Sequence, residues 1–89
     1  MSYSIFAYRR GKKVGYLKYN TFEKALNVYK IFDAEKYNNG FSGNGTEVIY
    51  TSSFIKNALA KAELTEDEEL IAFLIKIANV NDIITIVWQ

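Results

Sequence analysis

The spacing of apolar residues along this chain switches several times between a period of two and a period near 3.6, and each switch marks an element. Residues 3–9 (YSIFAYR) and 13–19 (KVGYLKY) are rich in aromatic and β-branched types and are separated by Arg10-Gly11-Lys12. Gly11 supplies the positive φ that a tight turn needs, so the two runs predict a β-hairpin. With Arg10-Gly11 as a two-residue loop, Phe6 falls opposite Gly15 and Ala7 opposite Val14. Phe6 is then expected to cover the bare glycine. One face would carry Ile5, Ala7, Val14 and Tyr16, and the other Phe6, Tyr8, Leu17 and Tyr19, both apolar enough to be partly buried.

Asn20-Thr21-Phe22-Glu23 predicts a helix start, with Asn20 capping the free amides and Glu23 reaching back as in a capping box. Phe22, Ala25, Leu26, Tyr29 and Phe32 form its apolar stripe, and the helix is expected to stop near Asn38-Asn39-Gly40. Thr46 to Thr51 (TEVIYT) then reads as a short strand. Ser52 or Ser53 can cap a second helix with Ile55, Ala58, Leu59 and Ala62 on one side. After Leu64-Thr65, a second capping-box pattern at Thr65-Glu66-Asp67-Glu68 predicts a third helix containing Leu70, Ile71, Leu74, Ile77 and Ala78.

Asn79 to Asn81 closes that helix and leads to Asp82–Gln89 (DIITIVWQ). Ile83, Ile84, Ile86, Val87 and Trp88 do not alternate with polar residues, which predicts a strand covered on both faces. As an open edge it would invite aggregation, so its expected place is inside the sheet or at a dimer interface. The order is ββαβααβ: one α+β domain over 1–89, with about four mainly antiparallel strands packed with three helices.

Composition narrows the chemistry more than the fold. At 49% hydrophobic and 24% charged, the chain has the balance of a folded globular domain, with stability on the order of 5 kcal/mol. It contains no cysteine and no histidine, which excludes Cys–His and Ser–His–Asp catalysis, thiolate zinc sites and imidazole metal ligands. With no pair of the remaining polar types at a recognisable catalytic spacing, the expectation is a protein that is not an enzyme, with no cofactor and no metal. Met1 to Tyr8 lacks the basic start of a signal peptide, and the longest apolar run, Leu70 to Ile75, is far short of a membrane span. A cytoplasmic protein without membrane contact is therefore expected.

Charge is uneven although the net value is only +1. The basic residues Arg9, Arg10, Lys12, Lys13 and Lys18 interleave with Tyr8, Tyr16 and Tyr19 on the hairpin, a mixture that can meet another macromolecule. Cations and aromatics on a β-surface also suit single-stranded nucleic acid, but dedicated nucleic-acid domains are more strongly basic overall. Glu66, Asp67, Glu68 and Glu69 form an acidic patch where a helix begins, which the helix dipole favours without any ligand. Three of the five glycines lie in YNNGFSGNGT (37–46), between a helix and a strand. Phosphate loops run from strand to helix, so these glycines are expected to be a helix cap and a turn, leaving Phe41 as a candidate contact.

The seven tyrosines add large contact area with a polar tip. The reading that best joins these features is a small non-catalytic protein-binding module that inhibits or regulates a larger enzyme or complex. Phage- and mobile-element-encoded inhibitors of host defence systems include small α+β proteins of this kind. A nucleic-acid-binding module using the hairpin is the alternative. A homodimer is a further expectation, since basic and acidic ends attract and the last strand needs cover.

Overall fold

The computed structural model describes residues 3–19, 21–33 and 46–88. The chain first forms β1 (Tyr3–Arg9) and β2 (Lys12–Tyr19). Arg10 and Gly11 both have positive φ, 52° and 79°, as a type I′ turn requires, and Arg9 pairs with Lys12 across it. The two-residue loop is thus in place.

The pairing beyond it differs from the expected one. Between Ala7 and Tyr8 the register shifts: Tyr8 opposes Lys13, while Ala7 opposes Gly15 and Phe6 opposes Tyr16. Val14 is the extra residue of a β-bulge. Side chains alternate with period two, so one inserted residue moves everything past it to the other face. Leu17 and Tyr19 consequently join Ile5 and Ala7 in the core, and Tyr16 turns outward beside Phe6 with ring centroids 4.8 Å apart. Gly15 is covered from α3 instead of by Phe6. A Cβ placed on it would lie 3.1 Å from both Ile77 Cγ2 and Phe73 Cε1.

Three helices occur among the described residues: α1 (Phe22–Ile31), α2 (Ser52–Glu63) and α3 (Glu68–Ala78). Each cap sits beside its expected position. Thr21, not Asn20, caps α1 by accepting the Lys24 N–H at 3.2 Å, which puts Lys24 where a capping box needs Glu. Thr51 caps α2 through the Phe54 N–H at 3.1 Å, while Ser52 donates to the Asn81 side chain. Asp67 caps α3 through the Leu70 N–H. Thr65 instead ties the preceding turn, donating to the Ala62 carbonyl at 2.7 Å and accepting the Asp67 N–H.

The helix α1 also ends earlier than the Asn38–Gly40 signal. Phe32 is its C-cap, and Asp33 takes the left-handed φ of 51° that stops it. Its buried side is Ala25, Val28, Tyr29 and Ile31, with Leu26 half-buried and Phe22 57% exposed, so the stripe is rotated from the expected one. The stripe of α2 is as expected, with Ile55, Ala58 and Ala62 buried and Leu59 packed beside them.

With β3 (Thr46–Tyr50) and β4 (Ile84–Trp88), the hairpin completes one antiparallel sheet of order β2-β1-β4-β3. The most apolar strand, β4, has neighbours on both sides, which removes the aggregation hazard of an open edge. Its two faces are not equally covered, in contrast to the sequence expectation. Ile84, Ile86 and Trp88 point into the core, whereas Thr85 and Val87 on the other side are half-buried.

The helices lie on the first of these faces. Trp88 meets Tyr29 of α1 at 5.3 Å and Phe32 edge-on at 5.7 Å, and Tyr50 meets Phe32 at 5.3 Å and Phe54 of α2 at 4.7 Å between centroids. α3 lies over β2 at Gly15. Among the described residues, this architecture is an α+β fold with one helical layer on one side of a four-stranded sheet.

Candidate interaction surface

The second face of the sheet carries no described helix, and its side chains follow from the registers. One row reads Tyr16, Phe6, Val87 and Glu47 across β2, β1, β4 and β3. The next reads Lys13, Tyr8, Thr85 and Ile49. Tyr16 and Ile49 at the two edges are 48% and 65% exposed, and Phe6, Tyr8 and Val87 between them are half-buried. Strands lie about 4.8 Å apart, so this apolar strip runs roughly 14 Å across the sheet. Tyr8, Gly11, Glu47, Thr85 and Val87 line a shallow groove along part of it.

The hairpin cations divide into two groups. Arg9 Nε donates to Asp82 Oδ2 at 3.0 Å, and Arg10 Nε stands 3.3 Å from the same oxygen. The Ile83 N–H donates to the other carboxylate oxygen at 2.8 Å. The Arg9 hydrogen bond, then the Ile83 amide, and the nearby Arg10 charge hold the Asp82 pKa below its ordinary value. The turn is thereby tied to the segment entering β4. Lys13 Nζ lies 5.7 Å from the Phe6 ring centroid, a cation–π contact on the open face. Lys12 and Lys18 are exposed.

The sequence-predicted surface is therefore only partly assembled in one place. Tyr8, Lys13, Tyr16 and Lys18 share the open face. Arg9 and Arg10 are engaged with Asp82. Tyr19 is 4% exposed and belongs to the core, because the bulge moved it there. Phe41 lies outside the described residues, as do Tyr37, the Asn39-Gly40 cap and the Asn44-Gly45 turn.

Of the acidic patch, Asp67 is used as the α3 cap, and Glu66 sits in the preceding turn with φ of 60°. Glu68 and Glu69 occupy the first turn, where the exposed amides favour negative charge. Together with Lys24, Asn27 and Thr65 they line a shallow depression. Among the described residues, no three acidic side chains converge as cation ligands would.

Phe6, Ile49 and Val87 are surface members that the charge-and-tyrosine reading did not single out. The alternation of TEVIY could have shown Ile49, since it lies on the opposite side from the buried Val48 and Tyr50. Compared with protein-family models, with curated proteins and with solved structures, the chain has no significant match to any of them.

Proposed function

We propose that this chain is a small non-catalytic protein-binding module that inhibits or regulates a larger enzyme or complex. The observation that carries this reading is the apolar strip from Tyr16 through Phe6 and Val87 to Ile49 on a sheet face that no described helix covers. Contiguous exposed apolar surface bordered by charge is characteristic of contact sites, and tyrosines serve there as broad anchors with few rotatable bonds. The nucleic-acid alternative has weaker support. Both arginines face Asp82, Lys13 occupies the neighbourhood of the Phe6 ring on which a base would stack, and Glu47 adds a negative charge to the same face.

The test is cross-linking from the surface itself. A photoreactive phenylalanine placed at position 49, in the native cell, is expected to give one discrete heavier protein adduct. The same group at Lys61, on the exposed side of α2, is expected to give none. Adducts of equal yield at both positions, or a nuclease-sensitive adduct at position 49, would sink the reading.

A further inference from the structure

The form of the partner follows from the strand that borders this face. β2 lies at one end of the sheet and pairs with β1 alone among the described strands. The outward N–H and C=O groups along its eight residues are those another strand could meet. Two shallow depressions run beside it toward α3. Lys13, Val14, Gly15, Tyr16, Lys76 and Val80 line the first. Tyr16, Lys18, Phe73 and Lys76 line the second, together with Glu69.

Charge along this edge is almost all of one sign. Lys12, Lys13 and Lys18 stand on β2 and Lys76 faces it from α3, and none of the four is in an ion pair among the described residues. Lysines also protect sheet edges from self-association, but the opposite edge does not share them. β3 carries Glu47 and the exposed Ile49 and has no cation. A second copy meeting β2 edge to edge would bring these lysines against their equivalents, which is unfavourable. A strand of negative charge meets no such repulsion.

Resting on the reading that the chain binds a protein, we infer that β2 is the docking edge and takes an extended acidic segment of the partner as a fifth strand. Carboxylates of that segment meet Lys13 and Lys18 on the open face, and the apolar residues alternating with them turn toward Phe73 and Val80 on the α3 side, beside Lys76. Main-chain hydrogen bonds hold the strand, and the lysines select its sign.

The experiment is a titration of the full chain against a fluorescein-labelled peptide of about eight residues alternating Glu with Val and Thr, the length matched to the edge strand. Anisotropy would be read at about 50 mM and about 300 mM salt, because the Debye length shrinks over that range. Companion probes are the same peptide with Lys for Glu, the same peptide with two central prolines, and single-stranded oligo-thymidine. Only the acidic, proline-free peptide is expected to bind, more weakly at the higher salt, with new amide-exchange protection confined to β2. Lys13→Glu with Lys18→Glu should lower its affinity by about tenfold or more, as loss and reversal of complementary charge does at such edges. Lys61→Glu, on the exposed side of α2, should leave affinity unchanged.

Equal binding of the proline or the lysine peptide overturns the inference, as does no binding at low salt, tighter binding of oligo-thymidine, or a dimer protected along β2. A partner captured from position 49 in undiminished yield by the Lys13→Glu/Lys18→Glu variant would preserve protein binding and remove strand addition alone.

Discussion

The Tyr50 hydroxyl donates a buried 2.9 Å hydrogen bond to the Phe32 carbonyl, joining the end of β3 to the end of α1 across 18 residues of sequence. A helix leaves its last carbonyls without partners in its own ladder, and this one is taken up by a side chain from the sheet. The same two residues pack ring edge against ring face, so one contact places both α1 and β3 against Trp88.

Tyr50→Phe keeps that packing and removes only the donor. Leaving the carbonyl buried and unpaired should cost about 1–3 kcal/mol. For a domain of this size, each kcal/mol corresponds to a fall in melting temperature of roughly 4–8 °C, readable by circular dichroism. An unchanged midpoint would mean that the carbonyl finds another partner once the hydroxyl is gone.

Gly15 sets how closely α3 approaches the sheet. A Cβ there would stand 3.1 Å from Ile77 Cγ2 and Phe73 Cε1, so the larger side chain of Gly15→Val fits only if Ile77, Phe73 or α3 itself gives way. Overpacking of this kind costs about 1–3 kcal/mol. Urea denaturation is the check, and equal stability of the variant would show that α3 can shift off β2 freely.

Arg10 occupies a turn position, with φ of 52°, that disfavours most L-residues. Asn-Gly is the pair such hairpins prefer, so Arg10→Asn should stabilise the protein by several tenths to about 1 kcal/mol. The lost contact with Asp82 weighs little because the Arg10 side chain is 79% exposed. A lower melting temperature for the variant would show that the ion pair, not the backbone, governs this turn.

Asp82 gives the hairpin a specific response to acid. Its folded-state pKa lies below the ordinary value of 3.8, so its contribution is fully present above that value. The contribution falls as pH drops below 3.8 and is lost once the lowered folded-state pKa is passed. Asp82→Asn should therefore reduce stability at neutral pH and bring variant and parent together at the acid end. Urea midpoints measured from pH 7 down to strong acid would show it, and parallel curves over the whole range would contradict the assignment.

Much of this fold is readable from the chain. The order ββαβααβ, the two-residue turn, the core side of α2 and the interior place of β4 all follow from period, turn chemistry and hydrophobicity. The caps are off by one or two positions, since polar residues cluster at each helix start. Which of Thr51, Ser52 or Ser53 serves depends on where the preceding strand releases the chain. Of the surface, the basic hairpin was visible, but Asp82, which engages both arginines, lies 73 residues from Arg9. Ile49 carries no charge signal, and only the alternation along β3 marks it as outward-facing.

The set of elements is a local property, because period, capping residues and turn residues act over a few positions of the chain. The face that each hairpin residue occupies is instead set by contacts between segments far apart in the chain. The bulge at Val14 disrupts the ladder locally, and it is compensated elsewhere in the chain, where Phe73 and Ile77 lie over Gly15 and Leu17 and Tyr19 enter the core. Alternation shows that neighbours point to opposite faces without fixing the origin of the count. Packing against α3 fixes it, and thereby buries Tyr19 and turns Tyr16 toward the open surface.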